Sequence, residues 1–457
     1  MTPAPPVRPL RIAFHAINGV GLGHLVRAVS IAAELPALVP GVQRLVITNA
    51  RDPSLLVAAG IDFVQLPPRL DEPHADPRRV YEALPGPLEE AAMIAALAAF
   101  APDLVVFDTH APARVVERMT ALGARAVLVL RELRPEALRG FVASAAALAF
   151  DRIVVPHEPG EVDVAAFGDL PVTLSGPVVR ATPPAASAPT SAGGPLVVAI
   201  AGGGGQPVDA RRYLRAVADA HLLARARIPE LETVLVTGPY AEPPAHLESY
   251  AGLTVLASVP DLPAVMARAA LVISQAGYNA VAELRSLAKP AILVPAYRKA
   301  EDQRARARRL VRAGAAVIAR PRARDLADRI EALVLAPGAL HAMAAGHAAA
   351  PLVPGNRAAA EAVLRPVCRV GGGVRRVALV AHDFPPRLGG METVAAGLAH
   401  GLVARGVEVA VYTASRLGAT AGELGKRVRP LYRPVAGQHA PEPGTPHTGD
   451  PALRIDL

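Results

Sequence analysis

The chain of 457 residues has one cysteine, no tryptophan, and only three lysines, Lys289, Lys299 and Lys426. A single thiol, Cys368, excludes an internal disulfide framework and any zinc cluster, and it fits a reducing compartment. Aromatic residues make up 4% of the chain against 52% hydrophobic residues overall, so Ala, Val and Leu must fill the cores. That is the composition of helices packed on sheets. The net charge of +8 is carried almost wholly by arginines scattered along the chain, with no aromatic-studded basic stripe, which argues against a nucleic-acid partner. No apolar run reaches the ~18 residues of a spanning helix, and MTPAPPVRPL at the start has no apolar signal core. A cytoplasmic protein is expected, with membrane contact at most peripheral at the inner face. The run MIAALAAF (93–100) reads as a buried helix face. No Asp-x-Asp pair occurs, so neither a bound metal nor any cofactor is expected.

What is present is an alternation of strand-like apolar runs with Ala-rich helical stretches, the mark of βαβ units on parallel sheets. The first series of strands is RIAFHAI (11–17), RLVITNA (44–50), DLVVFD (103–108), RAVLVLR (125–131) and DRIVVP (151–156). A Pro-, Ala-, Ser- and Gly-rich linker follows, and the alternation restarts at PLVVAIAGGGG (195–205). It continues through ETVLVTG (232–238), LTVLAS (253–258), ALVISQAG (270–277), PAILVPA (290–296) and AAVIAR (315–320), with NRAAAEAVLR (356–365) as a terminal helix completing that half. The expected organisation is α/β: a Rossmann-like domain over 1–179, a linker over 180–195 and a second Rossmann-like domain over 196–366, facing each other across a cleft. A second linker (367–376) leads to a partial third unit (377–414) and a disordered tail (415–457). The third unit is too short to close a domain.

Three segments carry chemistry. Gly19-Val-Gly21-Leu-Gly23-His24-Leu-Val-Arg27 lies at the turn from the first strand into its helix, where glycines permit close ligand approach and the helix N-terminus offers unpaired N–H groups. The bulky His24 and the absence of an acid closing the second strand separate it from a dinucleotide fingerprint. His24 has the chemistry to take a proton from an attacking hydroxyl. Asp108, ending DLVVFD, opens onto the same sheet edge and would orient the imidazole, with Gly21, Gly23, Arg27 and His110 lining the acceptor side. The run Gly202 to Gly205, of which Gly203, Gly204 and Gly205 precede a helix, suits phosphate oxygens. The most specific segment is Ser274-Gln-Ala-Gly277-Tyr-Asn279-Ala-Val-Ala-Glu283, followed by Glu301-Asp302-Gln303. Its turn suits a diphosphate, and Glu283 and Gln303 offer a carboxylate and an amide to ribose or sugar hydroxyls.

These residues resemble family 28 of the glycosyltransferases, typified by the bacterial enzyme that adds N-acetylglucosamine to a polyprenyl-linked muramoyl-peptide. The resemblance spans about residues 10–364 and is strongest over 255–310. It implies a GT-B fold with a UDP-sugar as co-substrate held by the second domain. Glu283 would hold the ribose, Gln303 the ribose or donor sugar, Ser274, Gly277 and Asn279 the diphosphate side, and the backbone near Val259 the uracil edge. His24 would stand at the reaction centre of a metal-independent, inverting displacement. The loop GLGHLVR is closer to the UDP-sugar hydrolase of pseudaminic acid synthesis, in which a similar loop activates water. Transfer to a glycan, lipid-linked or small-molecule acceptor, hydrolysis, and nucleotide-sugar binding without turnover therefore all stay open here. In the third unit, His382-Asp-Phe-Pro-Pro386-Arg-Leu-Gly389-Gly390-Met-Glu392 resembles the start of family 4 retaining glycosyltransferases, without the C-terminal domain that carries that family's donor-binding glutamates.

Overall fold

The computed structural model describes residues 8–17, 22–67, 86–180, 193–202, 207–239, 241, 247, 250–259, 261–298, 301–349, 351–367, 376–381, 408–413 and 428–430. Residues 1–367 form one compact unit and residues 368–457 another.

The first unit begins with β1 (Arg11–Ala16), α1 (Gly23–Leu38), β2 (Gln43–Thr48), α2 (Ser54–Ala58), β3 (Asp62–Gln65), α3 (Pro87–Phe100) and β4 (Leu104–Asp108). It continues through α4 (Ala113–Ala121), β5 (Arg125–Val129), α5 (Pro135–Val142), β6 (Arg152–Val155) and β7 (Val172–Leu174). The seven strands form one sheet in the order β3-β2-β1-β4-β5-β6-β7, and every pairing is parallel. Strands such as β4 (LVVFD) are buried throughout, as expected where helices cover both faces. From β1 the chain winds outward to β2 and β3, then crosses to β4 and winds the other way, so the crevice between the ends of β1 and β4 is the topological switch point. The register pairs His15 with Phe107, so the two strands end at the same level. This brings the Gly23–His24 turn beside Asp108. Met93 and Leu97 of α3 are buried, so the MIAALAAF run does serve as a core-facing helix side.

The second half contains β8 (Leu196–Ile200), α6 (Pro207–Arg225), β9 (Glu232–Val236), β10 (Leu253–Leu256), α7 (Leu262–Arg268), β11 (Leu271–Ser274) and α8 (Tyr278–Ser286). After these come β12 (Ala291–Leu293), α9 (Gln303–Arg312), β13 (Ala316–Ile318), α10 (Ala323–Val334), α11 (Ala339–Ala348) and α12 (Asn356–Leu364). Its parallel sheet has the order β10-β9-β8-β11-β12-β13, with a second switch point between β8 and β11. Alternate β11 side chains feed opposite cores. Leu271 and Ile273 join Tyr213, Leu214 and Val217 of α6, while Val272 joins Val281, Leu284 and Leu310 of α8 and α9. Each such fully buried aliphatic side chain contributes about 1.5–3 kcal/mol.

The terminal helix departs from expectation. Instead of completing the second half, α12 crosses back and packs on α1 and β6 of the first. Its apolar positions Ala359, Ala360, Ala362, Val363 and Leu364 are all buried there, and Asn356 accepts from the Val179 N–H and donates to the Val179 carbonyl. At the crossing Gly355 lies so close to the backbone of Ser175 and Gly176 that a Cβ would stand 2.2 Å from the Ser175 carbonyl oxygen.

The second unit contains a parallel three-stranded sheet, β14 (Arg376–Ala381), β15 (Glu408–Thr413) and β16 (Val428–Pro430). β16 falls within the tail expected to be disordered, where it pairs with β15 through Val411 and Val428. The His382–Glu392 motif lies outside the described residues. Among the described residues no helix is long and apolar enough to cross a membrane, and no group of three or more His, Cys, Asp or Glu side chains is placed to hold a metal ion.

Candidate active site

At the first switch point, His24, the second residue of α1, brings its Nδ1 to 2.5 Å from Oδ1 of Asp108. Asp108 is the last residue of β4 and is itself buried. Beneath the pair lies Arg27, one helical turn beyond His24, which donates Nε–H to Asp108 Oδ2 at 2.6 Å and a second N–H to Oδ1. The Thr109 hydroxyl adds a fourth donor to the same carboxylate, from a residue whose φ of +64° turns the chain sharply at the strand end. Burial pushes the Asp108 carboxyl upward, but the Arg27 guanidinium and the His24 hydrogen bond outweigh it and hold the carboxyl well below the usual range. Burial lowers His24, and Asp108 only partly offsets this, so the imidazole is neutral. Facing an ionised carboxylate, which only accepts, Nδ1 must carry the proton. Nε2 is then the free base.

Arg27, expected on the acceptor side, is only 2% exposed and cannot meet an acceptor. At helical spacing i+3 it lies on the inward face of α1, under the histidine rather than beside it. His110 stands at the surface with its ring edge-to-face to His24, 5.8 Å between centroids. Gly23 is exposed, and its carbonyl accepts a hydrogen bond of 3.1 Å from Asn279 Nδ2 of the second half. Gly21 lies outside the described residues, as do Gly203, Gly204 and Gly205.

At the second switch point, Ser274 ends β11 buried, its hydroxyl turned onto the carbonyl of Gln275. Gly277 is the N-cap of α8 and supplies no capping side chain, so the first-turn N–H groups of α8 keep their capacity for an anion. About one and a half turns in, Glu283 is buried and accepts from Arg180 Nε at 2.7 Å. Burial raises its pKa and Arg180 only partly counters this. Gln303 opens α9, but both ends of its amide are used by the protein: Oε1 accepts from Ala296 N–H, and Nε2 donates to Glu301. One amide hydrogen and one oxygen lone pair of Gln303 are thus taken up by the protein. Val259 is half-buried beside Ser258, whose hydroxyl donates to Asp52 of the first half at 3.2 Å.

Several contacts between the halves had no signal in the sequence. Glu301 accepts from Arg131 of the first half at 2.8 Å and from Arg306 of its own half at 3.1 Å, and Glu132 of the first half accepts from Arg306 and Arg309. Arg285 makes a two-pronged pair with Glu158 at 2.7 and 3.0 Å. Tyr278, inside the quoted motif but given no role there, inserts its ring into the first half. Its hydroxyl donates to the Pro156 carbonyl and accepts from the Val178 N–H.

Residues 197–353 match the profile of the glycosyltransferase family 28 C-terminal domain. Over 128 residues the chain is 40% identical to the UDP-N-acetylglucosamine–N-acetylmuramyl-(pentapeptide) pyrophosphoryl-undecaprenol N-acetylglucosamine transferase of Rhodospirillum centenum. That stretch is 26% of this chain, and the chain spans about a third (34%) of the length of that relative. Among solved structures, the glycotransferase of kitacinnamycin superposes with a TM-score of 0.54 at 19% identity, over 79% of this chain and all of its own. The calicheamicin glycosyltransferase CalG4 gives 0.52 at 18%, over 79% of this chain and all of its own. A putative UDP-N-acetylglucosamine 2-epimerase from Listeria monocytogenes gives 0.51 at 10%, over 78% of this chain and 94% of its own. The fold is GT-B, as expected, and the resemblance to family 28 is found where the sequence motif was strongest.

Proposed function

We propose that residues 1–367, of which 197–353 match the family 28 glycosyltransferase C-terminal domain, transfer a sugar from a UDP-sugar to a hydroxyl acceptor by a single inverting displacement, with His24 as general base. The observation that carries this reading is the hydrogen bond between partly exposed His24 and buried Asp108 at one switch point, joined to the donor turn at the other through the Asn279–Gly23 hydrogen bond. The Asn279–Gly23 hydrogen bond sets the start of α1, which carries His24, beside the uncapped N-terminus of α8.

In this reading UDP lies against the second half. The uracil edge meets the backbone near Val259, the ribose hydroxyls donate to Glu283, and the diphosphate sits over the Ser274–Asn279 turn. The uncapped N-terminus of α8 lowers the energy of the leaving diphosphate as negative charge develops on it. His24 Nε2 removes the acceptor proton as its oxygen attacks the anomeric carbon, and Asp108 stabilises the imidazolium that forms. Displacement without a covalent intermediate inverts the anomeric configuration. No step calls on a divalent ion. Any membrane contact needed to reach a lipid-linked acceptor is peripheral.

The test is release of the nucleoside diphosphate (UDP or dTDP) from a panel of UDP- and dTDP-sugars, with and without hydroxyl acceptors that include a polyprenyl-linked muramoyl-peptide. Acceptor-dependent release of UDP, lost in His24→Ala, supports transfer. Stoichiometric release without acceptor would replace transfer by hydrolysis, and UDP binding without turnover would replace both by a binding role. Wild-type turnover in His24→Ala would remove the base assignment.

A further inference from the structure

We infer that Arg27 is a positioning residue, which clamps Asp108 in one orientation and keeps His24 an unprotonated base at the pH where the cell works. The inference rests on His24 acting as base. It is carried by geometry: a fully buried guanidinium sits between the two carboxylate oxygens of Asp108, with Nε on Oδ2 and a terminal N–H on Oδ1. A forked donor of this kind fixes the carboxylate plane, which a lysine ammonium cannot do. The outer face of the fork is held in turn. The Arg27 guanidinium lies over the Tyr278 ring at 5.5 Å, and that ring is anchored through its hydroxyl to Pro156 and Val178. Arg27 therefore cannot swing away without dislodging a residue of the donor turn.

The electrostatic consequence has a definite sign. The charged and titratable groups around His24 are Asp108 on β4, Arg27 on α1, His110 after β4 and Arg131 after β5. Behind Arg27 stand Tyr278 and Glu301. Burial of the ring lowers the His24 pKa most, Asp108 pulls it upward, and Arg27 opposes that upward pull. Arg27 satisfies the carboxylate charge, so the pair rests as carboxylate and neutral imidazole, and the proton arrives only from the acceptor. The sequence pattern His24-Leu-Val-Arg27 places the two side chains one turn apart, which is the spacing at which both reach one carboxylate.

Selectively labelled histidine resonances, with His24 assigned by its loss in His24→Ala, would be titrated in the full chain for wild type, Arg27→Met and Arg27→Lys. The expected result for Arg27→Met is an upward move of the His24 midpoint by about one pH unit or more, with the acid limb of kcat for UDP release moving up equally. For Arg27→Lys, the midpoint stays near wild type because the charge is kept, while kcat falls by about tenfold or more with little change in KM for the UDP-sugar. A folded Arg27→Met with an unchanged His24 midpoint would overturn the inference. If Arg27→Met does not fold, Arg27→Lys decides, and wild-type kcat in that variant would overturn it. The midpoint is read without turnover, so failure of the base assignment, seen as activity in His24→Ala, is a separate outcome.

Discussion

Replacing Glu283 by glutamine isolates the charge that the donor ribose is proposed to meet. The glutamate is 4% exposed, its Oε1 accepts from Arg180 Nε at 2.7 Å, and glutamine has nearly the same volume. Glutamine also keeps an acceptor oxygen for Arg180, so the local packing survives better than with alanine, which would strand the guanidinium. A hydrogen bond to a charged partner is worth about 1.5–3 kcal/mol net, against about 0.5–1.5 for a neutral one. Two ribose hydroxyls sharing one carboxylate with Arg180 should lose about 1–3 kcal/mol when the charge is removed. That corresponds to UDP binding about 5- to 150-fold weaker. Calorimetric titration of UDP into wild type and Glu283→Gln measures it directly, with thermal unfolding as the control for fold. The pH dependence adds a second arm. Burial raises the Glu283 pKa above the ordinary carboxylate value, so on acidification it protonates earlier than an exposed glutamate. Wild-type UDP affinity should accordingly fall on acidification before an ordinary glutamate would protonate, and the glutamine variant should not follow. A folded Glu283→Gln binding UDP within twofold of wild type would refute the assignment.

Asp108→Asn removes the ionised acceptor of His24 Nδ1–H and lets an amide N–H favour the wrong tautomer, so kcat should fall about 10²–10⁴-fold. Unchanged kcat would show that the imidazole needs no orienting partner. Glu301 is pushed upward by burial, but Arg131 and Arg306, with a hydrogen bond from Gln303, hold it at about 2. A depressed acid stabilises the fold above its unfolded pKa of about 4.3, and the contribution drains away as pH falls from there toward 2. Glu301→Gln should therefore be less stable at pH 7 and lose less on acidification than wild type in denaturant melts; parallel acid loss in both would refute the pairing. Tyr278→Phe strips the partner from the Pro156 carbonyl and the Val178 N–H, both in a buried setting, and should cost about 1–3 kcal/mol of stability in the same melts.

Much of this site was legible because a parallel α/β sheet puts its business at strand ends. The run DLVVFD marks a fully buried strand, so Asp108 had to emerge at its carboxyl end, level with the glycine turn holding His24. That pairing spans 84 residues of sequence, yet it follows from topology alone. β3 and β7 were not legible. DFVQ and VTL are outer strands, only half-buried or exposed, and they show neither an apolar run nor a clean alternation. Arg27 was misplaced because arginine is usually a surface residue, and only its partner 81 positions away makes its burial affordable. The return of α12 was illegible for a similar reason. Its apolar face states that it packs on something, but not on which half.

The contacts between the halves hold the proposed base, His24, and the proposed donor turn near each other although they stand on separate sheets. Beside the apolar packing of α12 on the first half, a set of polar and directional contacts joins them: Asn279 on Gly23, Arg306 on both Ala276 and Glu132, Arg285 on Glu158, and Ser258 on Asp52. Three of these, with Tyr278, act on the stretch 276–285 that forms the donor turn and its helix. Arg306 links the Ala276 carbonyl of that turn to a carboxylate of the first half, so the turn is held by both halves at once. Partly exposed ion pairs contribute about 1 kcal/mol or less each, and they resist sliding rather than separation. Tyr278 differs, because it is a buried aromatic ring whose withdrawal exposes apolar surface and leaves two backbone groups unpaired. Tyr278 therefore ties the 276–285 stretch both to the backbone of the first half and to the guanidinium of Arg27, so a displacement of that stretch disturbs the Arg27–Asp108 contact as well.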